Sequence, residues 1–146
     1  FDDHLRSCGL TYSGHPLSCA AGVACVNYYT KASIPEHVTE VGKVLGSELE
    51  AMKEKHPCVG DVRYIGLFSC VELVKDKATK EPLVEYGKDP EGKMGRIVGA
   101  LKAKGFSTYS HENMIFVCPP LIITEDELKE QLAILDEVLS ETDKEI

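Results

Sequence analysis

Hydrophobic residues recur at helical spacing in two long stretches of this chain. Val38, Val41, Leu45, Leu49 and Met52 form one apolar stripe, while Glu40, Lys43, Glu50 and Lys53 fall on the opposite face. That period predicts an amphipathic helix opening at Ser33-Ile34-Pro35-Glu36, with Ser33 as its cap. Leu128, Leu132, Leu135 and Leu139 repeat the pattern later in the chain. Thr124-Glu125-Asp126-Glu127 precedes them, a cap residue followed three positions on by Glu, which is the capping-box signature. A third helix is predicted from about Gly92 to Lys104, with Met94, Ile97, Val98 and Leu101 inward and Gly105 as its stop.

A further helix, from about Pro16 to Tyr29, breaks the pattern. It carries small residues on nearly every face, so the expectation is a helix sandwiched between other elements, not all of them in this chain. Residues 1–15 read as irregular. His56-Pro57-Cys58-Val59-Gly60-Asp61 is a turn-rich break. Val62 to Val74 reads as an extended strand with a bend at Gly66. Residues 75–92 look like an exposed loop. Phe106 to Tyr109 and Met114 to Cys118 read as short strands around a Ser110-His111-Glu112-Asn113 hairpin loop, and Pro119-Pro120 ends the second. The expected fold is α+β, a small and mostly antiparallel sheet packed against helices.

The first candidate for chemistry is Thr11-Tyr12-Ser13-Gly14-His15-Pro16. Proline suits the first turn of a helix, where its missing N–H costs nothing. The orphan N–H groups of that turn, with the positive end of the helix dipole, attract an anion. Thr11 and Ser13 add hydroxyl donors, and Gly14 lets a ligand approach the backbone. The segment therefore reads as a phosphate or carboxylate seat. The alternative is an ordinary loop-to-helix junction in which Ser13 caps the helix and Thr11 steadies the loop.

Charge and cysteine usage narrow the surroundings. The 146 residues carry a net charge of −8, which disfavours a nucleic-acid footprint or an anionic membrane surface. No apolar run approaches membrane-spanning length. Cys8, Cys19, Cys25, Cys58, Cys70 and Cys118 form no C-x-x-C pair, so they read as small, buried, reduced side chains of a cytoplasmic protein. His111-Glu112 and the acidic residues 125–127 lack metal-ligand spacing.

Leu10 to Ala24, LTYSGHPLSCAAGVA, resembles the stretch that follows the catalytic lysine in class III aminotransferases, pyridoxal-phosphate enzymes of fold type I. Val62-Arg63-Tyr64-Ile65-Gly66-Leu67 with Val71-Glu72-Leu73-Val74 is a second match. Cys118-Pro119-Pro120-Leu121-Ile122-Ile123-Thr124 leading into an acidic helix is a third. All three stand in the family's order and span nearly the whole chain.

The resemblance implies the C-terminal small domain of such an enzyme. Residues 1–32 would be a segment bridging back to the large catalytic domain, and residues 33–146 the small domain itself. It implies that Thr11, with Ser13 beside it, binds the cofactor phosphate across a homodimer interface, and that Leu10 and Tyr12 line the same site. No lysine here stands at the family's catalytic position, so no catalytic residue is assigned, and the chain alone is expected to be inactive. Many members place a carboxylate-binding arginine where this chain has Tyr109. Either the hairpin has slipped and His111 or Asn113 approaches the substrate, or another group holds the carboxylate, or the substrate lacks it; Tyr109 itself is either a substrate-binding residue of the pocket or a strand residue packed on a neighbour. The implied parent moves an amino group from an amine or omega-amino acid to a 2-oxo acid such as pyruvate, with pyridoxal 5'-phosphate as cofactor. A free-standing α+β module that binds an anion is the alternative. Arg63 is expected to form a structural ion pair with an acidic helix.

Overall fold

The computed structural model describes Gly9 and residues 11–146 and divides the chain into two compact units, with the boundary after Pro35. In the first unit, α1 runs from Pro16 to Lys31. None of its residues is buried, so the expected sandwiching partners are not among the described residues. Ala32 and Ser33 end it, with their N–H groups on the carbonyls of Tyr28 and Thr30. Ser33 takes a left-handed φ of 50°, which turns the chain into α2.

The second unit holds the core. Its elements are the rest of α2 (Ile34–Lys55), β1 (Val59–Ile65), β2 (Phe68–Asp76), β3 (Glu81–Pro82), α3 (Lys93–Ala103), β4 (Ser110–His111), β5 (Met114–Val117) and α4 (Glu125–Thr142). The strands form an antiparallel sheet in the order β1-β2-β5-β4, with β3 beside β2. The α+β expectation therefore holds. Leu45 and Leu49 of α2, Leu101 of α3 and Leu132, Leu135 and Leu139 of α4 pack with Val71, Leu73 and Ile115 of the sheet in one apolar cluster. Each such fully buried leucine contributes about 2–3 kcal/mol.

The stretch from Val62 to Val74 is a hairpin, not one bent strand. Ile65 pairs with Phe68 across the two-residue turn Gly66–Leu67, and Gly66 takes φ 54°. A tight hairpin of this kind needs a positive φ, which glycine supplies without strain. The turn also sits against α2. A Cβ on Gly42 would come within 2.7 Å of the Gly66 Cα, and one on Gly46 would collide with the Tyr64 ring. These two glycines, one helical turn apart, let α2 lie directly on the hairpin.

Other boundaries shift for local reasons. The expected strand Phe106–Tyr109 is not one, since none of the four residues lies in a strand, and β4 comprises Ser110 and His111. The turn is Glu112–Asn113, where Glu112 takes φ 52°. The supposed exposed loop 75–92 contains β3 and buries Leu83 and Val84. Asp89 caps α3, accepting from the N–H groups of Lys93 (2.8 Å) and Met94 (3.0 Å). The capping box of α4 is present, with Glu127 N–H on Thr124 Oγ1 (3.3 Å) and Thr124 N–H on Glu127 Oε2 (2.9 Å). Those bonds from Thr124 hold the Glu127 carboxyl below the usual range.

Candidate functional site

Thr11 to Gly14 form a turn that feeds α1. Gly14 takes φ 75°, and the His15 N–H closes the turn on the Tyr12 carbonyl at 3.1 Å. The Tyr12 and His15 rings meet edge-on, with centroids 5.8 Å apart. His15, not Ser13, occupies the N-cap position, and no side chain caps the helix there. The first intrahelical bond runs from Cys19 N–H to the His15 carbonyl (2.9 Å). Pro16 has no N–H to satisfy, so the N–H groups of Leu17 and Ser18 are the orphans of this turn. Thr11 and Ser13 are exposed, and a Cβ on Gly14 would meet nothing within 4 Å. The turn thus offers hydroxyl and amide donors around open space, a donor set that fits a phosphate. Leu10 lies outside the described residues.

Tyr109 belongs to the second unit. The chain leaves α3 through Gly105 (φ 89°), and the Phe106 N–H returns to the Leu101 carbonyl at 3.0 Å. Backbone pairing then places Tyr109 beside Phe116, whose N–H donates to the Tyr109 carbonyl at 3.0 Å. The Thr108 hydroxyl donates to the Phe116 carbonyl and fixes the same junction. The Tyr109 and Phe116 rings stand 5.5 Å apart at 37°, and Phe116 and Phe68 stand 6.2 Å apart at 43°. A groove beside them is lined by Phe68, Ser107, Thr108, Tyr109, Phe116 and Cys118. Tyr109 is 65% exposed and Phe68 59%.

The neighbouring polar groups are committed elsewhere. Asn113 Nδ2 donates to the Leu73 carbonyl at 2.9 Å, and the Leu73 N–H returns to the Asn113 carbonyl, so Asn113 holds the hairpin. Arg63 pairs with Glu72 at 2.8 Å and with Asp61 at 3.6 Å, and also reaches Cys70 and Met114. Its acidic partners are on β1 and β2, not on a helix as expected. Asp61 and Glu72 are cross-strand partners two positions along from the Arg63–Cys70 pair, so both carboxylates fall within reach of Arg63 on the same sheet. His111 is exposed on β4, outside the groove lining.

One buried polar cluster escaped the sequence reading. His56 is 1% exposed, with Nδ1 2.6 Å from Asp143 Oδ2 and Nε2 2.9 Å from Asp136 Oδ1. Asp143 Oδ1 also accepts from the Cys58 N–H at 2.9 Å, and Lys55 Nζ reaches Asp136 Oδ2 at 2.5 Å. Burial works against both carboxylates, yet both stay below the usual range. Bonds from Cys58 and His56 outweigh it at Asp143, and bonds from Lys55 and His56 outweigh it at Asp136. Burial, with Asp143 beside it, pushes the Cys58 thiol up, out of the reactive range.

The expectation of buried cysteines holds for Cys58 and Cys70. Cys19, Cys25 and Cys118 are exposed, because α1 has no buried face and Cys118 stands at the groove. All five are free thiols, while Cys8 lies outside the described residues. Among the described residues no cluster suits a metal ion, and no helix is long and apolar enough to cross a membrane.

A sequence profile of the family described as Aminotransferase class-III matches residues 3–139. An ethanolamine-phosphate phospho-lyase homolog of Caenorhabditis elegans is 32% identical over 89% of this chain and 27% of its own length. The taurine–pyruvate aminotransferase of Bilophila wadsworthia is 33% identical over 89% of this chain and 29% of its own. The solved taurine:2-oxoglutarate aminotransferase of Bifidobacterium kashiwanohense, in complex with PLP and glutamate, is 49% identical with a TM-score of 0.89, over 99% of this chain and 32% of that one. The chain spans about a third or less of the length of these relatives.

Proposed function

The chain belongs to the class-III aminotransferases, and on that premise we propose that it is the C-terminal part of a pyridoxal-phosphate enzyme. The enzyme moves an amino group from an amine or omega-amino acid to a 2-oxo acid such as pyruvate. The observation that carries this reading is likeness along nearly the whole chain to an aminotransferase about three times as long. Residues 1–32 act as the bridge to a large domain, and residues 33–146 as the small domain. Nothing among the described residues favours a free-standing module instead.

The cofactor's phosphate is assigned to the Thr11–Gly14 turn. The Thr11 and Ser13 hydroxyls donate to it, and Gly14 leaves room beside the backbone. When bound, pyridoxal phosphate supplies an electron sink that lets an amino group exchange with a carbonyl oxygen. The enzyme acts as a homodimer, each protomer offering this turn to its partner's cofactor. Tyr109 lies against the substrate. Free thiols on the described cysteines agree with a reducing compartment, here the cytoplasm. By itself the 146-residue chain has no lysine at the family's catalytic position and turns over no amine.

Borohydride reduction followed by intact-mass measurement of the native polypeptide tests the reading. The expected result is one reduced pyridoxal-phosphate adduct on a lysine outside these residues. A native polypeptide that gains no adduct overturns it.

A further inference from the structure

We infer that His56 is held as a buried imidazolium that fastens the C-terminal ends of α2 and α4 together, and that the α4 end comes loose when the ring loses a proton. The inference goes beyond the transfer reading and is independent of which amine or 2-oxo acid is used. Helices α2 and α4 run in the same direction. Lys55 meets Asp136 at 2.5 Å, and Glu48 and Lys129, each about two turns earlier on its helix, line the same groove. Parallel helices bring two negative dipole ends to one place. Asp136 and, at the C-cap of α4, Asp143 add two carboxylates there, and α4 has no basic residue in its last turn. His56 stands where these charges meet. Its backbone N–H returns to the Met52 carbonyl at the end of α2 (2.8 Å), and its side chain is 1% exposed within this chain alone.

The ring geometry sets the proton count. Nδ1 faces Asp143 Oδ2 and Nε2 faces Asp136 Oδ1, so each nitrogen has a carboxylate oxygen before it. An ionised carboxylate only accepts, and a neutral imidazole has one N–H to give. Two such acceptors call for two N–H donors, which the imidazolium alone supplies. A neutral ring would set a nitrogen lone pair against a carboxylate oxygen in a site closed to water. The other charged and titratable groups around the cluster do not replace the ring. On α2, Lys55 bonds Asp136 alone and is half exposed, while Lys53 is turned to Asp61. After β2, Lys77 reaches the Lys53 carbonyl. Before β1, Cys58 gives its N–H to Asp143 and keeps a neutral thiol. Among the described residues His56 is the one basic side chain that bonds Asp143. The fastening is complete only while both carboxylates are ionised and the ring carries both protons. Acid opens it by protonating the carboxylates, and base opens it by removing a ring proton.

The test reads hydrogen-exchange protection by mass spectrometry in the full-length protein that carries these residues, comparing residues 138–143 with residues 125–132 of the same helix. Raising the pH from about 7 to about 9.5 is expected to lower protection of 138–143 about tenfold, the scale of one charge-assisted hydrogen bond, while 125–132 stay within about twofold. His56→Gln keeps one neutral donor. It is expected to show the lowered protection already at about pH 7 and no further relative fall at the higher pH. Neutron diffraction from crystals of the parent protein grown in heavy water at about pH 7 is expected to place deuterium on both ring nitrogens and on neither carboxylate. Deuterium on one nitrogen alone overturns the inference, as does protection of 138–143 that holds level with 125–132. Both readouts come from the parent protein and decide the matter even where His56→Gln fails to fold. A pH response in His56→Gln equal to the parent's assigns the loosening to another group and overturns the inference as well. None of these results bears on the amino-transfer reading, which the reduced cofactor adduct decides separately.

Discussion

Helices α1 and α4 have similar lengths, 16 and 18 residues, and dispose of their apolar residues in opposite ways. On α4 the leucines gather on one face, six residues are buried, and three acidic residues fill the first turn behind a capping box. On α1 the apolar residues are scattered round the axis, none is buried, and neither a cap nor a first-turn acid supports the start. Isolated helices of this length are marginal in water, and most helical stability in proteins comes from burying one face. The difference shows that α4 is held by contacts within this chain, while α1 draws no such support from the described residues. Helix α2 buries one face as α4 does, with two glycines pressed against a hairpin.

The largest contrast to test is packing. Leu135→Ala in α4 should cost about 3 kcal/mol in urea denaturation, because the side chain is fully buried. Val26→Ala in α1 should cost less than about 0.5 kcal/mol. Equal losses would break the comparison between the two helices.

A smaller contrast concerns glycine. Gly42→Ala should destabilise by about 2 kcal/mol, since the new methyl would press on the Gly66 backbone. Gly22→Ala in α1 meets nothing within 4 Å and should stabilise by up to about 1 kcal/mol. A destabilising Gly22→Ala, read from the shift in denaturation midpoint, would mean that α1 has a close neighbour after all.

The smallest contrast is acid sensitivity. Asp143 and Asp136 of the α4 end are depressed in the folded state, so their contribution is fully present above the unfolded carboxylate range. It disappears as pH falls through their lowered folded values. Asp143→Asn should cost about 1.5 kcal/mol near neutral pH and flatten that acid limb. An unchanged slope between pH 5 and about 2 would remove Asp143 from the clasp around His56.

The sequence announced helices well where one residue type carried the signal. The leucine stripe and the Thr124–Glu127 pair located α4 because both act within a turn or two of chain. The β1–β2 hairpin was hidden because Val62 to Val74 is rich in Val, Ile, Leu and Phe on both sides of Gly66, which could equally mark a bend. Asp89 went unseen as the α3 cap because Gly92, in a left-handed conformation, separates it from the helix. The Thr11–Gly14 turn was legible since glycine and proline punctuate it. The company of Tyr109 was not, because Phe68 reaches it only through strand pairing across β5. The same holds for His56, whose two carboxylates come from the far end of the chain.

The sheet's two outermost strands bear on how the chain behaves in concentrated solution. Strand β4 is only two residues long, and β1 carries Asp61 and Arg63 with an irregularity between Val59 and Asp61. Short, charged or bulged borders give an incoming strand little to template on, which guards against edge-to-edge aggregation. Association of this chain in isolation would thus run through exposed apolar side chains, such as Val23 and Val26 of α1 or Ile65 and Phe68 of the hairpin, and hydrophilic replacements there would be the first remedy.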